Sequence, residues 1–110
     1  MSFFHYSQNN SGGSFDFNEE AGITHHVVIE AESAEEADQI GQGFGIYFYG
    51  CEDGMDCECC GDRWSGAYGN GDAVPMVYGE PAQSANNYHR WMKAGKEICV
   101  HYKDGRKEWF

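Results

Sequence analysis

The chain has 110 residues and a formal net charge of −11, which allows one domain with one modest core. No apolar run approaches the ~20 residues that span a bilayer. No basic segment followed by an apolar stretch opens the chain, so no secretory signal is expected. The charge is unevenly placed. Residues 1–62 hold 13 Asp and Glu and no Lys or Arg, whereas residues 63–110 hold all seven Lys and Arg against five acids. Such a field repels phosphate backbones, so no direct nucleic-acid binding is expected. It suits solubility, a basic host-protein partner, or a mimic of nucleic-acid charge. A cytosolic location is expected, where the five cysteines read as metal ligands or core thiols before disulfides.

Phe3, Phe4, His5 and Tyr6 form an aromatic run, and Phe15-Asp16-Phe17 alternates as a strand does. Turn-formers at 8–13, including Asn9, Asn10 and Ser11, predict a hairpin between them. That polar loop offers amides and backbone N–H groups to a polar ligand. Thr24 to Ala31 predicts a strand with His25, Val27, Ile29 and Ala31 on one face. Ser33 and Glu36 then make a capping box. Ala34, Ala37 and Ile40 mark the buried stripe of a short helix, with Glu35, Glu36 and Asp38 on its outer face. Gly41, Gly43 and Gly45 predict its end, and Phe44 to Tyr49 a second, aromatic strand.

Residues 50–73 have neither the helical nor the strand period. Val74 to Tyr78 predicts an edge strand, since Pro75 cannot donate to a ladder. Ser84 to Ala94 predicts a second helix, with Ala85, Tyr88, Trp91 and Met92 apolar and Gly95 as its cap. Glu97 to Tyr102 and Arg106 to Phe110 flank Lys103-Asp104-Gly105, a strong hairpin signal. The expected fold is α+β. A single domain over residues 1–110 would carry an antiparallel sheet, ferredoxin-like or related, with two short helices and a metal-stapled loop.

The loop reads Cys51-Glu-Asp-Gly-Met-Asp-Cys57-Glu-Cys59-Cys60-Gly61-Asp62. Cys57-x-x-Cys60-Gly61 has the form of a zinc knuckle: two thiolates meet one ion, and glycine permits the tight bend. Cys51 supplies a third ligand; the fourth is Cys59 or a histidine, with His25, His26 and His101 as candidates. Asp53, Asp56, Glu58 and Asp62 crowd the same loop and raise thiol pKa unless a cation is bound. A structural zinc is the expected cofactor, against free core thiols as the plainer alternative. The sulfur-rich set argues against an open catalytic metal.

Arg63-Trp64 follows at once. It either neutralises Asp62 within the fold or projects a cation and a ring towards a planar ligand. Arg90, Lys93, Lys96, Lys103, Arg106 and Lys107 are ordinary surface cations or one patch for a phosphate-bearing ligand. No nucleophile triad, P-loop, dinucleotide fingerprint or zinc-protease helix occurs.

The stretches Phe3-Phe4-His5-Tyr6-Ser7-Gln8-Asn9-Asn10-Ser11-Gly12-Gly13-Ser14-Phe15, Gly22-Ile23-Thr24-His25-His26-Val27 and Gly50-Cys51 through Cys57-Glu58-Cys59-Cys60-Gly61-Asp62-Arg63-Trp64 resemble a family of small accessory proteins of tailed bacteriophages. The resemblance implies a role in the host cytosol against host defence, with no catalytic residues to carry over. The expectation is non-catalytic sequestration of a small nucleotide-derived immune signal through Asn9, Asn10, Ser11, Arg63 and Trp64, with phosphate contacts from the basic C-terminal elements. The first alternative is an acidic inhibitor that grips a host defence protein; the second is a metal-dependent hydrolase of such a signal. A homo-oligomer is left open.

Overall fold

A computed structural model describes residues 2–8, 18, 20–48, 63–67, 69–77, 80–81 and 98–109. The expected strand at 15–17, the cysteine loop at 50–62 and the expected helix at 84–94 lie outside those residues. The elements are β1 (Ser2–Ser7), β2 (His26–Ala31), α1 (Ala34–Phe44), β3 (Met76–Val77), β4 (Glu80–Pro81), β5 (Ile98–His101) and β6 (Lys107–Trp109). Four strands make one sheet in the order β1-β2-β5-β6, and β3 pairs β4 beside it. The domain is α+β, with one helix among the described residues. None of the described helices is long and apolar enough to cross a membrane.

The sheet is mixed, where an antiparallel one was expected. β1 runs antiparallel to β2 from Ser2↔Ala31 to Ser7↔His26, and β5 is antiparallel to β6. β2 and β5, however, pair parallel, His26 with Ile98 through Ile29 with His101. A parallel pair needs a crossover instead of a hairpin, and the long connection that begins with α1 allows one.

β2 is the hinge of the core because both its faces are covered. Phe4, Tyr6, Val27, Ile29 and Ala31 pack towards α1 with Ala37, Ile46 and Trp64. Phe3, Val28, Val77, Ile98 and Val100 pack on the opposite face. A strand buried on both sides reads as a continuous apolar run, which is what His-Val-Val-Ile presents. His25 does not share a strand face with Val27 as expected. It precedes β2 and stacks its ring on His26, 4.2 Å between centroids.

The helix begins where the capping box placed it. Ser33 Oγ accepts from the Glu36 N–H at 3.1 Å, and the Glu36 carboxylate accepts from the Glu32 N–H. Its end differs from expectation. The glycines at 41 and 43 do not stop α1; it runs on to Phe44, and Gly45 caps it with φ 124° by donating to the Gly41 carbonyl. Phe44 therefore belongs to the helix, and no strand forms at 46–48. Gly41 has a packing reason, since a Cβ there would stand 3.2 Å from Ile29 Cδ1. The residue lets helix and sheet approach closely.

Asp38 is also corrected. It is half-buried, not on the outer face. Its Oδ1 accepts from the Tyr6 hydroxyl at 2.7 Å and from the Ala67 N–H at 2.9 Å. Burial first, then the Asp38 bond, pushes the Tyr6 hydroxyl far above the usual phenol range. One carboxylate thus ties β1, α1 and the 66–67 segment together.

Candidate ligand-binding site

The β5–β6 hairpin is built by its turn. Gly105, at φ 94°, donates to the Tyr102 carbonyl, and Tyr102 N–H donates to the Arg106 carbonyl. Asp104 Oδ1 accepts from the Arg106 N–H. The tip is then latched to the rest of the fold. Glu30, late in β2, accepts from the Lys103 N–H at 2.9 Å, and Glu36 of α1 forms an ion pair with the Lys103 ammonium. That pair lowers the Glu36 pKa, chiefly through its bond to Lys103.

Between this hairpin, α1 and the sheet lies a cavity of about 400 Å³. Its apolar lining comes from Ile29, Ile40 and Phe44, and its polar lining includes His101, Arg106 and Lys107. Phe44 and His101 lie ring on ring, 4.0 Å apart and within 6° of parallel. His101 Nε2 is 2.9 Å from the Gly22 carbonyl. A carbonyl only accepts, so Nε2 carries the proton and Nδ1 the lone pair. Burial holds the imidazole neutral, below the usual histidine range, and the nearby Lys107 ammonium pushes the same way, against the Gly22 bond.

The cations of the cavity are unevenly used. Lys103 is paired with Glu36. Arg106 lies over the Tyr102 ring, 4.1 Å from its centroid. Among the described residues neither Arg106 nor Lys107 forms an ion pair. In a chain of net charge −11, Arg106 and Lys107 line one cavity with an aromatic wall and have no carboxylate partner among the described residues, an arrangement whose chemistry suits an anion with an apolar body. The α1 C-terminus opposes an anion by up to about 1 kcal/mol. Charge-assisted hydrogen bonds contribute roughly 1.5–3 kcal/mol each, so two cations outweigh it. The cavity volume is that of a small-molecule site.

Of the sequence-derived ligand residues, Arg63 and Trp64 are described. Asn9, Asn10 and Ser11, and the zinc ligands Cys51, Cys57, Cys59 and Cys60, lie outside the described residues. Trp64 is 1% exposed, inside the core cluster under α1. Arg63 is buried: its Nε donates to the Tyr47 hydroxyl and its Nη1 to Gln8 Oε1, while Gln8 Nε2 donates to the Thr24 carbonyl. This network joins β1, the segment before β2 and the segment after α1, a structural use of the cation. His26 Nδ1 is 3.0 Å from His5 Nε2. Among the described residues no group of three or more His, Cys, Asp or Glu is placed to hold a metal.

Of the basic set, Lys103, Arg106 and Lys107 do meet at one cavity. The contribution of Phe44 and His101 was missed. The glycines around Phe44 read as a helix stop with a strand beginning at Phe44, and His101 was read as a candidate metal ligand and not as the partner of a ring. The useful signal was the i, i+4 pair Ile40 and Phe44, which continues the helical stripe past Gly41.

A family model described as Domain of unknown function (DUF7296) matches the chain over residues 1–110. No curated protein and no solved structure matches it.

Proposed function

We propose that the chain, which belongs to that family, acts by binding and holding a small anionic ligand without chemically changing it. The observation that carries this reading is the pair of cations, Arg106 and Lys107, without carboxylate partners among the described residues, beside the Phe44–His101 stack. An anion on a flat or apolar body, as in a nucleotide-derived signal, satisfies both halves of that lining. The resemblance to phage accessory proteins favours a signal of host immunity as the ligand, sequestered in the host cytosol. The acidic-grip alternative has less support, because Asp38 is held by Tyr6 and Ala67 and Glu36 by Lys103. That leaves Glu35 as the exposed acid of the three.

Titration calorimetry with a panel of 5′-mononucleotides and cyclic nucleotides tests the reading. Wild type should bind at least one of them. Lys107→Ala and Arg106→Ala should each weaken that binding about tenfold to a hundredfold, the range expected for losing one charge-assisted contact, with melting temperature little changed because Arg106 is exposed and Lys107 only half-buried. Binding unaffected by both substitutions would place the ligand elsewhere.

The cysteine loop is proposed as a structural zinc clip through Cys51, Cys57 and Cys60 with Cys59 or a histidine, on the chemistry of its donor set. Protein prepared without chelator should carry about one zinc per chain, and Cys57→Ser should release it and lower the melting temperature. Metal-free protein with freely titrating thiols would discard the clip.

A further inference from the structure

A second cavity, of about 490 Å³, adjoins the first and shares Glu30, Tyr102, Lys103 and Arg106 with it. Beyond the shared residues their linings differ. The first cavity adds Lys107 and His101; the second adds Phe3 and Asp104. Lys107 thus adds a further cation to the first cavity. The second sets two carboxylates, Glu30 and Asp104, against the shared Lys103 and Arg106, beside Phe3 and Tyr102, which meet edge to face at 6.0 Å.

The two acids keep free capacity. Glu30 uses Oε1 on the Lys103 N–H, and Asp104 uses Oδ1 on the Arg106 N–H. An ionised carboxylate has about four acceptor sites and no donor, so each still seeks hydrogen-bond donors. A group with adjacent N–H donors on a flat ring suits that lining. A ring edge of acceptors, or a phosphate, does not.

We propose that the second cavity is a specificity subsite that reads the base of a nucleotide whose phosphate is held by Arg106 and Lys107, and that it selects guanine. Guanine offers N1–H and its exocyclic amine side by side, a pattern that one carboxylate accepts in bidentate fashion. Adenine places an acceptor nitrogen at that position and meets the carboxylate lone pair against lone pair. Glu30 is the first-choice reader because it is half-buried and lines both cavities; Asp104 at the exposed rim is the auxiliary.

This rests on the binding reading above, and the experiment separates the two. Calorimetry on the full chain would compare GMP, IMP and AMP. GMP should bind about tenfold or more tighter than AMP, with IMP, which lacks the exocyclic amine, between them. Glu30→Gln keeps a carbonyl for the Lys103 N–H but loses the charge and one acceptor. It should bring GMP within about twofold of AMP, because GMP loses a charge-assisted contact and AMP is freed of the lone-pair repulsion. Equal binding of GMP and AMP by wild type overturns the subsite and leaves the anion site standing. A guanine preference untouched by both Glu30→Gln and Asp104→Asn also overturns it. Failure of all three, with another nucleotide of the panel bound, overturns the subsite alone; failure of the whole panel removes the underlying reading as well.

Discussion

Trp64→Ala should lower the melting temperature by roughly 10–20 °C, far more than any ligand-site substitution. Trp64 is 1% exposed and packs with Tyr6, Val27, Ile29, Ala37 and Ile46. Deleting a buried Trp side chain leaves a cavity that neighbours fill only in part, and such changes cost about 3–5 kcal/mol. Each kcal/mol is worth about 4 °C or more in a domain of this size. The position is well placed for a large loss, because Trp64 lies where α1 meets the β1–β2 face. Arg63, next to it, would lose its geometry towards Tyr47 and Gln8 in the same event. Thermal unfolding followed by circular dichroism measures this. The result also decides between the two uses the sequence allows for this tryptophan. A loss confined to nucleotide affinity, with melting unchanged, would return Trp64 to a ligand-stacking role.

Gly22→Ala should be nearly as damaging and should reach the cavity. Gly22 has φ +79°, and a Cβ there would stand 2.5 Å from His101 Cε1, 2.7 Å from Nε2 and 3.0 Å from Cys99 Sγ. The imidazole cannot swing aside cheaply, because it is stacked on Phe44 at 4.0 Å and bonded to the Gly22 carbonyl. Left-handed backbone alone costs an alanine about 1–2 kcal/mol. The clash and the broken His101 bond add to this, so a total of roughly 3 kcal/mol or more is expected. Gly69 provides the matched control. It has φ +78° but nothing within 4 Å of an added Cβ, so Gly69→Ala should cost only the backbone part. Denaturant midpoints for the two variants isolate the His101 contact. Equal losses at both positions would show that the contact carries no weight. The shift of the ring should also weaken any ligand held beside Phe44 and His101.

Local signals survived wherever the physics is local. The Ser33–Glu36 cap sets the start of α1, because four orphan N–H groups must find acceptors within a few residues. Asp104-Gly105 sets the last hairpin, because only a residue tolerant of positive φ closes that turn. The Val27, Ile29 and Ala31 alternation declares β2 as a strand with a buried face. The end of α1 was not legible for a different reason. Gly41 resembles a stop signal, yet it serves close packing on Ile29, a neighbour known only once the helix lies on β2.

Pairing and placement were decided by the tertiary structure. β1 lies against β2, and β2 and β5 lie side by side in parallel, because burial of two faces of one strand is a property of the whole sheet. Asp38 looks like an exposed helix acid until Tyr6 and Ala67 are brought to it. The candidate site follows the same rule. Arg106 and Lys107 were visible as charges, but a charge becomes a ligand contact only when its neighbours leave it without a carboxylate. Composition and spacing therefore determined the α+β class, the helix start, the final hairpin and the supply of cations. Which cations face a cavity, and with which rings, depends on contacts between segments far apart in the chain, which no local pattern encodes.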